Sequence, residues 1–302
     1  MEHIINRRFQ STDMTKILFI INPISGEHNK AEIIRAIPKI LDKNRFDIFI
    51  THSKRAGHAA EIAQKAVAEN IDIVVAVGGD GTINEVATQL VSANTALAIV
   101  PCGSGNGLAR DLGISLRYKE AIQQINKLEL KKIDVGVCNN QYFFSIAGVG
   151  YDAKVAYDFN RGKKRKFAGY LWAIVKDYFN VKDQPYEIEL EEEKTTGKYF
   201  LISVANCSQW GYNVKVAPGA KLDDGLFIVN LCKKPSIFSV IPFGIKLLAG
   251  KIEHSKYTDF KTTNKISITS DMEFFYHLDG DAKGISRQID IDILPHALMV
   301  LY

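Results

Sequence analysis

The sequence predicts an α/β N-terminal domain on a parallel sheet, followed by a mainly antiparallel β-sandwich C-terminal domain. Three observations predict this. Short apolar runs alternate with helical periodicity from residue 16 to 132. Beyond Lys132 the pattern changes to strand-like pieces, several alternating with period two. The length, 302 residues, allows one large domain or two of ordinary size, since single cores stop growing at roughly 250–300 residues.

The elements follow in order. Residues 16–22 (KILFIIN) read as a buried strand closed by Asn22-Pro23. Ile33, Ile34, Ile37, Ile40 and Leu41 recur at helical spacing. DIFIT (47–51) is a second strand and GHAAEIAQKAVAEN (57–70) an alanine-rich helix. DIVVAV (72–77) and TALAIVP (95–101) are continuous apolar strands, as in a sheet buried on both faces. The second half reads as IDVGVC, QYFFSIAGVG, YEIELEEE, KYFLISVANC, LFIVNLC, KISITS, EFFYHLDG and QIDIDIL. Turns are expected at Cys138-Asn139-Asn140, Thr196-Gly197 and Asp224-Gly225, and helical insertions near 167–179 and 235–248.

Composition narrows the function classes. Hydrophobic residues make up 46% and charged residues 24%, which excludes a disordered chain, a collagen-like repeat and a disulfide miniprotein. Lys+Arg 38 against Asp+Glu 34 gives a net charge of +4, too little to indicate a nucleic-acid partner. Cys102, Cys138, Cys207 and Cys232 lack CxxC spacing and read as reduced cytoplasmic thiols. The seven histidines show no HExxH pattern. The N-terminus lacks the apolar core of a signal peptide, and Met14 just before the first strand makes an upstream extension of residues 1–15. The longest apolar stretch, 236–250, holds Pro242 and Lys246 and is shorter than the ~20 residues that a spanning helix needs. A cytoplasmic protein is expected, with peripheral membrane contact left open.

Three loops carry the chemistry. Gly78-Gly79-Asp80-Gly81-Thr82 follows the third strand and precedes a helix. Its glycines let the backbone approach a ligand, and the helix start offers N–H groups to phosphate oxygens. Thr82 and Glu85 fit a capping box. Asp80, in an anion-attracting turn, needs a partner such as a metal ion, a lysine or a proton. A second glycine loop, Gly103-Ser104-Gly105-Asn106-Gly107, follows the next strand, with Arg110 in reach of an anion. Asn22-Pro23-Ile24-Ser25-Gly26 supplies a third loop on the same sheet edge. No GxxxxGK[ST] occurs, and no GxGxxG follows the first strand, which argues against a P-loop or a dinucleotide fingerprint. In the β-rich half, Leu222-Asp223-Asp224-Gly225-Leu226 and Leu278-Asp279-Gly280-Asp281 are acidic turns. Their oxygens suit Mg²⁺ or general-base work, or simply an Asp-Gly hairpin.

NPISG (22–26), GGDGT (78–82), PCGSGN (101–106), LDDGL (222–226) and LDGD (278–281) stand in the order seen in the diacylglycerol kinase catalytic family. This family, which the chain resembles over 16–302, includes bacterial lipid kinases, sphingosine kinases and ceramide kinases. The resemblance implies a nucleotide-binding domain over 16–132 and a lipid-substrate domain over 133–302, with the last residues free to pack on the first. It implies ATP contacts at Asn22, Thr51, Gly78, Gly79, Asp80, Gly81, Thr82, Ile83, Asn84, Ser104 and Asn106. It implies Mg²⁺ held by Asp224 with backbone oxygens of Lys221 and Leu226. The family's closing carboxylate is the general base; here that position is Asp281 in place of glutamate, with Asp279 beside it. The sphingosine kinase branch assigns the role to the aspartate at Asp80. Ser104 stands where many bacterial members have Thr, and Gly107 where Asp is common.

The expected reaction is therefore ATP- and Mg²⁺-dependent phosphoryl transfer to the hydroxyl of a diacylglycerol- or sphingosine-like lipid. NAD kinase, which shares GGDGT and a β-rich second half, is the enzyme alternative. A silent lipid- or nucleotide-binding regulator is the other, and a homo-oligomer stays open. Arg161 to Lys166 carry five positive charges before Phe167-Ala168-Gly169-Tyr170-Leu171-Trp172, which fits either a membrane contact or a solvated loop with a core-packed helix.

Overall fold

The computed structural model describes residues 14–26, 29–161, 176–191, 193–211 and 214–302, with the backbone alone at 159–161. Their contacts divide into two units. The first runs to Asp134 and takes in Pro295–Tyr302; the second is Val135–Leu294.

The first unit is built on four parallel strands, β1 (Thr15–Ile21), β2 (Phe46–His52), β3 (Ile73–Gly78) and β4 (Ala96–Pro101). Their order is β4-β3-β1-β2. Every residue of β3 and β4 is buried, because helices cover both faces and the side chains have no solvent side. Helix α1 (Lys30–Ile40) turns Ile33 and Ile37 inward and is capped by Asn29, whose side chain accepts the Ala31 N–H at 3.0 Å. Next come α2 (His58–Ala68), α3 (Asp80–Leu90), α4 (Gly107–Asp111) and α5 (Tyr118–Ile125). Parallel strands all end at one sheet edge, so the loops after β1, β3 and β4 share it. The last residues of the chain belong to this unit: Val300 pairs in parallel with Leu97, and the Ser92 N–H donates to Ala297 O at 2.7 Å.

The second unit contains β5 (Leu130–Cys138, from Val135 onward), β6 (Gln141–Phe143), β7 (Ile146–Gly150), α6 (Tyr151–Arg161) and β8 (Gln184–Leu190). It continues with β9 (Glu193–Tyr199), β10 (Leu201–Ala205), β11 (Phe227–Cys232), α7 (Val240–Leu248), β12 (Thr258–Thr263), β13 (Lys265–Leu278) and β14 (Asp281–Leu301, up to Leu294). Antiparallel pairing runs β12-β11-β10-β7-β13-β14, with β9-β8 joined to β13, as expected for the sandwich. Phe143, Phe227, Phe274, Ile188 and Ile268 are fully buried together, with the Phe143 and Phe227 rings stacked at 5.6 Å. Truncating one such ring to alanine costs about 3–5 kcal/mol. Two hairpins are two-residue turns with both central residues at positive φ, Asn139-Asn140 and Asp279-Gly280. That geometry matches the right-handed twist of the paired strands.

Four local expectations change. Thr196-Gly197 is no turn: β9 runs through it and the chain reverses at Glu191 instead. Gly197 is needed in the strand because the Tyr199 ring lies 2.7 Å from where its Cβ would be. Helix α6 was not expected, its Asp, Lys and Asn hiding the stripe on which Ala153, Val155 and Ala156 are buried. The helix after β3 starts at Asp80 rather than at a Thr82 cap, and Glu85 caps a different helix. The first strand begins at Thr15, inside the expected extension. Of that extension residues 1–13 lie outside the described residues, as do most of the basic cluster and the aromatic stretch up to 175. All four cysteines are buried. Burial pushes the Cys138 and Cys232 thiols up to about 12. No helix among the described residues is long and apolar enough to cross a membrane.

Candidate functional site

At the sheet edge of the first unit, three loops interlock. The Asn22 N–H donates to Val77 O at 3.0 Å, and its Nδ2 donates to Thr82 Oγ1 at 2.9 Å, tying the first loop to α3. Gly26, at φ +59, lies so close to the Cys102 carbonyl that a Cβ would overlap the oxygen. Lys30 Nζ donates to Ser25 O at 2.5 Å. A Cβ on Gly103 would come within 2.7 Å of Gly79 Cα, so the two glycine loops pack backbone against backbone.

Asp80 finds its partner in this packing. Its Oδ2 accepts the Asn106 N–H at 2.9 Å and its Oδ1 the Gly107 N–H at 3.0 Å. Neither metal nor lysine is needed to satisfy it. Asn106 takes φ +51, and its Nδ2 donates to Gly103 O at 2.7 Å. Its buried Oδ1 has no hydrogen-bond partner among the described residues. Arg110 Nε donates to Gly105 O at 3.0 Å, which turns this cation to holding the loop. The first turn of α3 has no side-chain cap, since Gly79 has none to offer, and a glycine-lined helix start of this kind accepts an anion. Thr82 and Ile83 are buried; Asn84 is half-buried, accepting the Thr88 hydroxyl at 3.3 Å. Thr51 is half-buried near the end of β2, and Ser104 is exposed. Glu85 reaches to α2, accepting the Gly57 N–H at 2.9 Å and the Ala59 N–H at 3.1 Å. Gly57 cannot cap its own helix, so a carboxylate 28 residues away does.

In the second unit, Asp279 turns its carboxylate inward. Oδ2 accepts the Phe144 N–H at 2.9 Å, and Oδ1 accepts the Ser145 and Ile146 N–H groups at 2.7 and 3.1 Å. Burial pushes this carboxyl above the usual range, while the three amides pull against it. Asp281, two residues on, is exposed and 2.9 Å from Lys283 Nζ. In the 221–226 turn, Asp224 is exposed and accepts the Leu226 N–H at 3.2 Å, with Gly225 at φ +73. Among the described residues no group of three or more His, Cys, Asp or Glu gathers as a metal cluster. A cation that keeps most of its waters asks less: one carboxylate with backbone carbonyls on a tight turn fits Mg²⁺. The expected site residues thus divide, with Asn22, Thr51, Gly78–Asn84, Ser104 and Asn106 on the first unit and Lys221, Asp224, Leu226, Asp279 and Asp281 on the second.

Two family models match the chain, one after the other. The diacylglycerol kinase catalytic domain matches residues 16–138, and the YegS C-terminal NAD kinase beta sandwich-like domain matches 145–302. The chain belongs to the diacylglycerol kinase family. Its class is that of a phosphotransferase with an alcohol group as acceptor. A diacylglycerol kinase of Bacillus subtilis (strain 168) is 27% identical over 295 residues, covering 95% of this chain and 97% of the relative. One of Staphylococcus saprophyticus is 29% identical over 277 residues, covering 88% of each. In fold, the chain is similar to the crystal structure of a diacylglycerol kinase from Bacillus anthracis str. Sterne, at TM-score 0.77 and 23% identity, over 97% of this chain and 98% of that one.

One feature of this family member escaped the sequence. Beneath the 278–281 turn, His277 Nδ1 accepts the Gly280 N–H at 3.2 Å, which leaves the proton on Nε2, 3.3 Å from Asp152 Oδ2. Ser203 Oγ is 3.4 Å from the same oxygen. Both side chains are buried, and a Cβ at Gly148 would collide with each of them. Asp152 and His277 lie 125 positions apart, so no spacing could have paired them.

Proposed function

We propose that this protein transfers the γ-phosphoryl group of ATP to the hydroxyl of a lipid of the diacylglycerol or sphingosine type, with Mg²⁺. The observation that carries the reading is the interlocked glycine edge of the first unit, where Asp80 and Asn22 fix two loops around an uncapped helix start. Phosphoryl transfer asks the protein for positioning and charge neutralisation, and such an edge supplies both. Backbone N–H groups of Gly78–Thr82 receive the terminal phosphates; Asn22, Thr51, Asn84, Ser104 and Asn106 hold the nucleotide. Lys221 and Leu226 carbonyls and the Asp224 carboxylate hold Mg²⁺, which when bound neutralises triphosphate charge. The domain of 16–132 binds the nucleotide and that of 133–302 the lipid.

Asp281 is the best candidate for general base. Asp80 and Asp279 both have each carboxylate oxygen engaged by backbone amides, which suits positioning, whereas Asp281 is exposed and, among the described residues, pairs with Lys283. As the lipid oxygen attacks phosphorus, its proton passes to Asp281, the bond from the γ-phosphorus to the bridging oxygen breaks, and ADP leaves. The test is transfer of the ATP γ-phosphate over a panel of diacylglycerol, monoacylglycerol, sphingosine, ceramide and NAD. Transfer to a lipid is expected; transfer to NAD alone, or nucleotide binding without transfer, overturns the reading. Mn²⁺ affinity measured by calorimetry, expected to fall in Asp224→Asn, tests the metal assignment without turnover.

A further inference from the structure

Helix α7 breaks the rule that the other helices follow. The helices α1 to α5 each bury residues on an inward side; α7, with the sequence VIPFGIKLL, buries none. Ile241, Ile245 and Leu248 are 71%, 62% and 68% exposed. At 100° per residue these three fall on one stripe about 60° wide. Phe238, just before the helix, is 91% exposed, and Ile237 is exposed beside it. The helix is nevertheless firmly seated. Phe243 packs on the Phe200, Leu201 and Cys232 cluster and meets Tyr257 edge-on at 6.3 Å. Tyr257 Oη donates to Ser239 Oγ at 2.9 Å, and Lys246 Nζ to His254 O at 2.7 Å. The outward apolar stripe is therefore held in place on a fixed element.

Charge decides what covers it. Between Lys233 and Lys256 five lysines (Lys233, Lys234, Lys246, Lys251, Lys256) stand against one acid, Glu253. A second copy of the chain docking face to face would bring these lysines together, since a two-fold contact sets each patch against itself. An anionic lipid surface instead receives the apolar side chains between its acyl chains and the lysines at its headgroups. We infer that α7 with Phe238 is the element by which this protein docks on the surface of an anionic membrane. This deepens the lipid-kinase reading, because a substrate with long acyl chains is presented there, but docking itself is measured without turnover.

The test sediments the full chain with vesicles of phosphatidylcholine alone or mixed with phosphatidylglycerol. The wild type should bind the mixed vesicles and release them at high salt. The variant F238S/I241S/I245S should lose about tenfold or more of that binding with an unchanged melting temperature, as these side chains support no core. The variant K251E/K256E should lose roughly twentyfold on mixed vesicles and little on phosphatidylcholine. Both should phosphorylate a short-chain, water-soluble diacylglycerol like the wild type while losing transfer to vesicle-borne substrate. Wild-type binding by both variants overturns the docking face, as does a dimer that the apolar variant converts to a monomer. Vesicle binding as expected, with no transfer to any lipid by the wild type, sinks the kinase reading and leaves docking standing.

Discussion

The glycine edge of the first unit and the acidic turns of the second are held in opposite ways. At the edge, every loop is fastened to another loop: Asn22 to Thr82, Asp80 to Asn106 and Gly107, Gly26 against Cys102. In the turns, fastening and exposure are split between neighbours two residues apart: Asp279 is held by three amides and Asp281 projects outward. The difference fits the roles proposed for the two regions: phosphate binding needs mutual bracing of backbone, whereas proton acceptance needs a rigid base and a carboxylate left accessible.

Substitutions break this contrast in graded ways. Asp80→Ala removes the brace between the glycine loops and should cut the rate of γ-phosphate transfer by about a hundredfold or more, read from initial velocities. Asp281→Ala should lower turnover by about a hundredfold on the proposed mechanism. Its urea unfolding should stay within about 0.5 kcal/mol of wild type, because an exposed ion pair contributes little. Asp279→Ala should do the reverse, destabilising by about 3 kcal/mol in the same unfolding experiment by leaving amide donors without an acceptor. Gly26→Ala, which sets a Cβ on the Cys102 carbonyl and strains a positive φ, should cost about 2 kcal/mol. The effect that is absent at neutral pH comes last. Cys138 and Cys232 hold their protons more tightly when folded (pushed up to about 12) than unfolded, at about 8.5. Their contribution to stability is whole below the unfolded value and is lost as pH rises from there toward 12. Denaturation midpoints should decline over that window, less so in a Cys138→Ala, Cys232→Ala chain.

The parallel sheet and the glycine edge were legible because their signals are local. GGDGT follows an unbroken apolar strand, and two-residue turns such as Asn139-Asn140 announce themselves by residue type. What could not be read is who satisfies whom. Asp80 meets amides 26 and 27 positions away, and Glu85 leaves its own helix start to cap another. Asp152 and His277 meet only because β7 and β13 pair and Gly148 leaves room between them. Thr196-Gly197 looked like a turn because glycine marks both turns and crowded strand sites. The apolar character of 236–250 was evident, but an outward-facing stripe and a core-facing one have the same periodicity.

The return of Pro295–Tyr302 into the first unit has a consequence for biosynthesis. Val300 supplies a pairing partner to β4, His296 N–H donates to Asp134 Oδ1 at 2.7 Å, and Tyr302 N–H reaches Glu129 O at 3.3 Å. During synthesis, the strands before Asp134 therefore wait for residues 295–302 before their sheet is complete. A nascent chain halted after residue 134 holds an unfinished first unit, and a change within residues 295–302 is felt by strands more than 190 positions earlier.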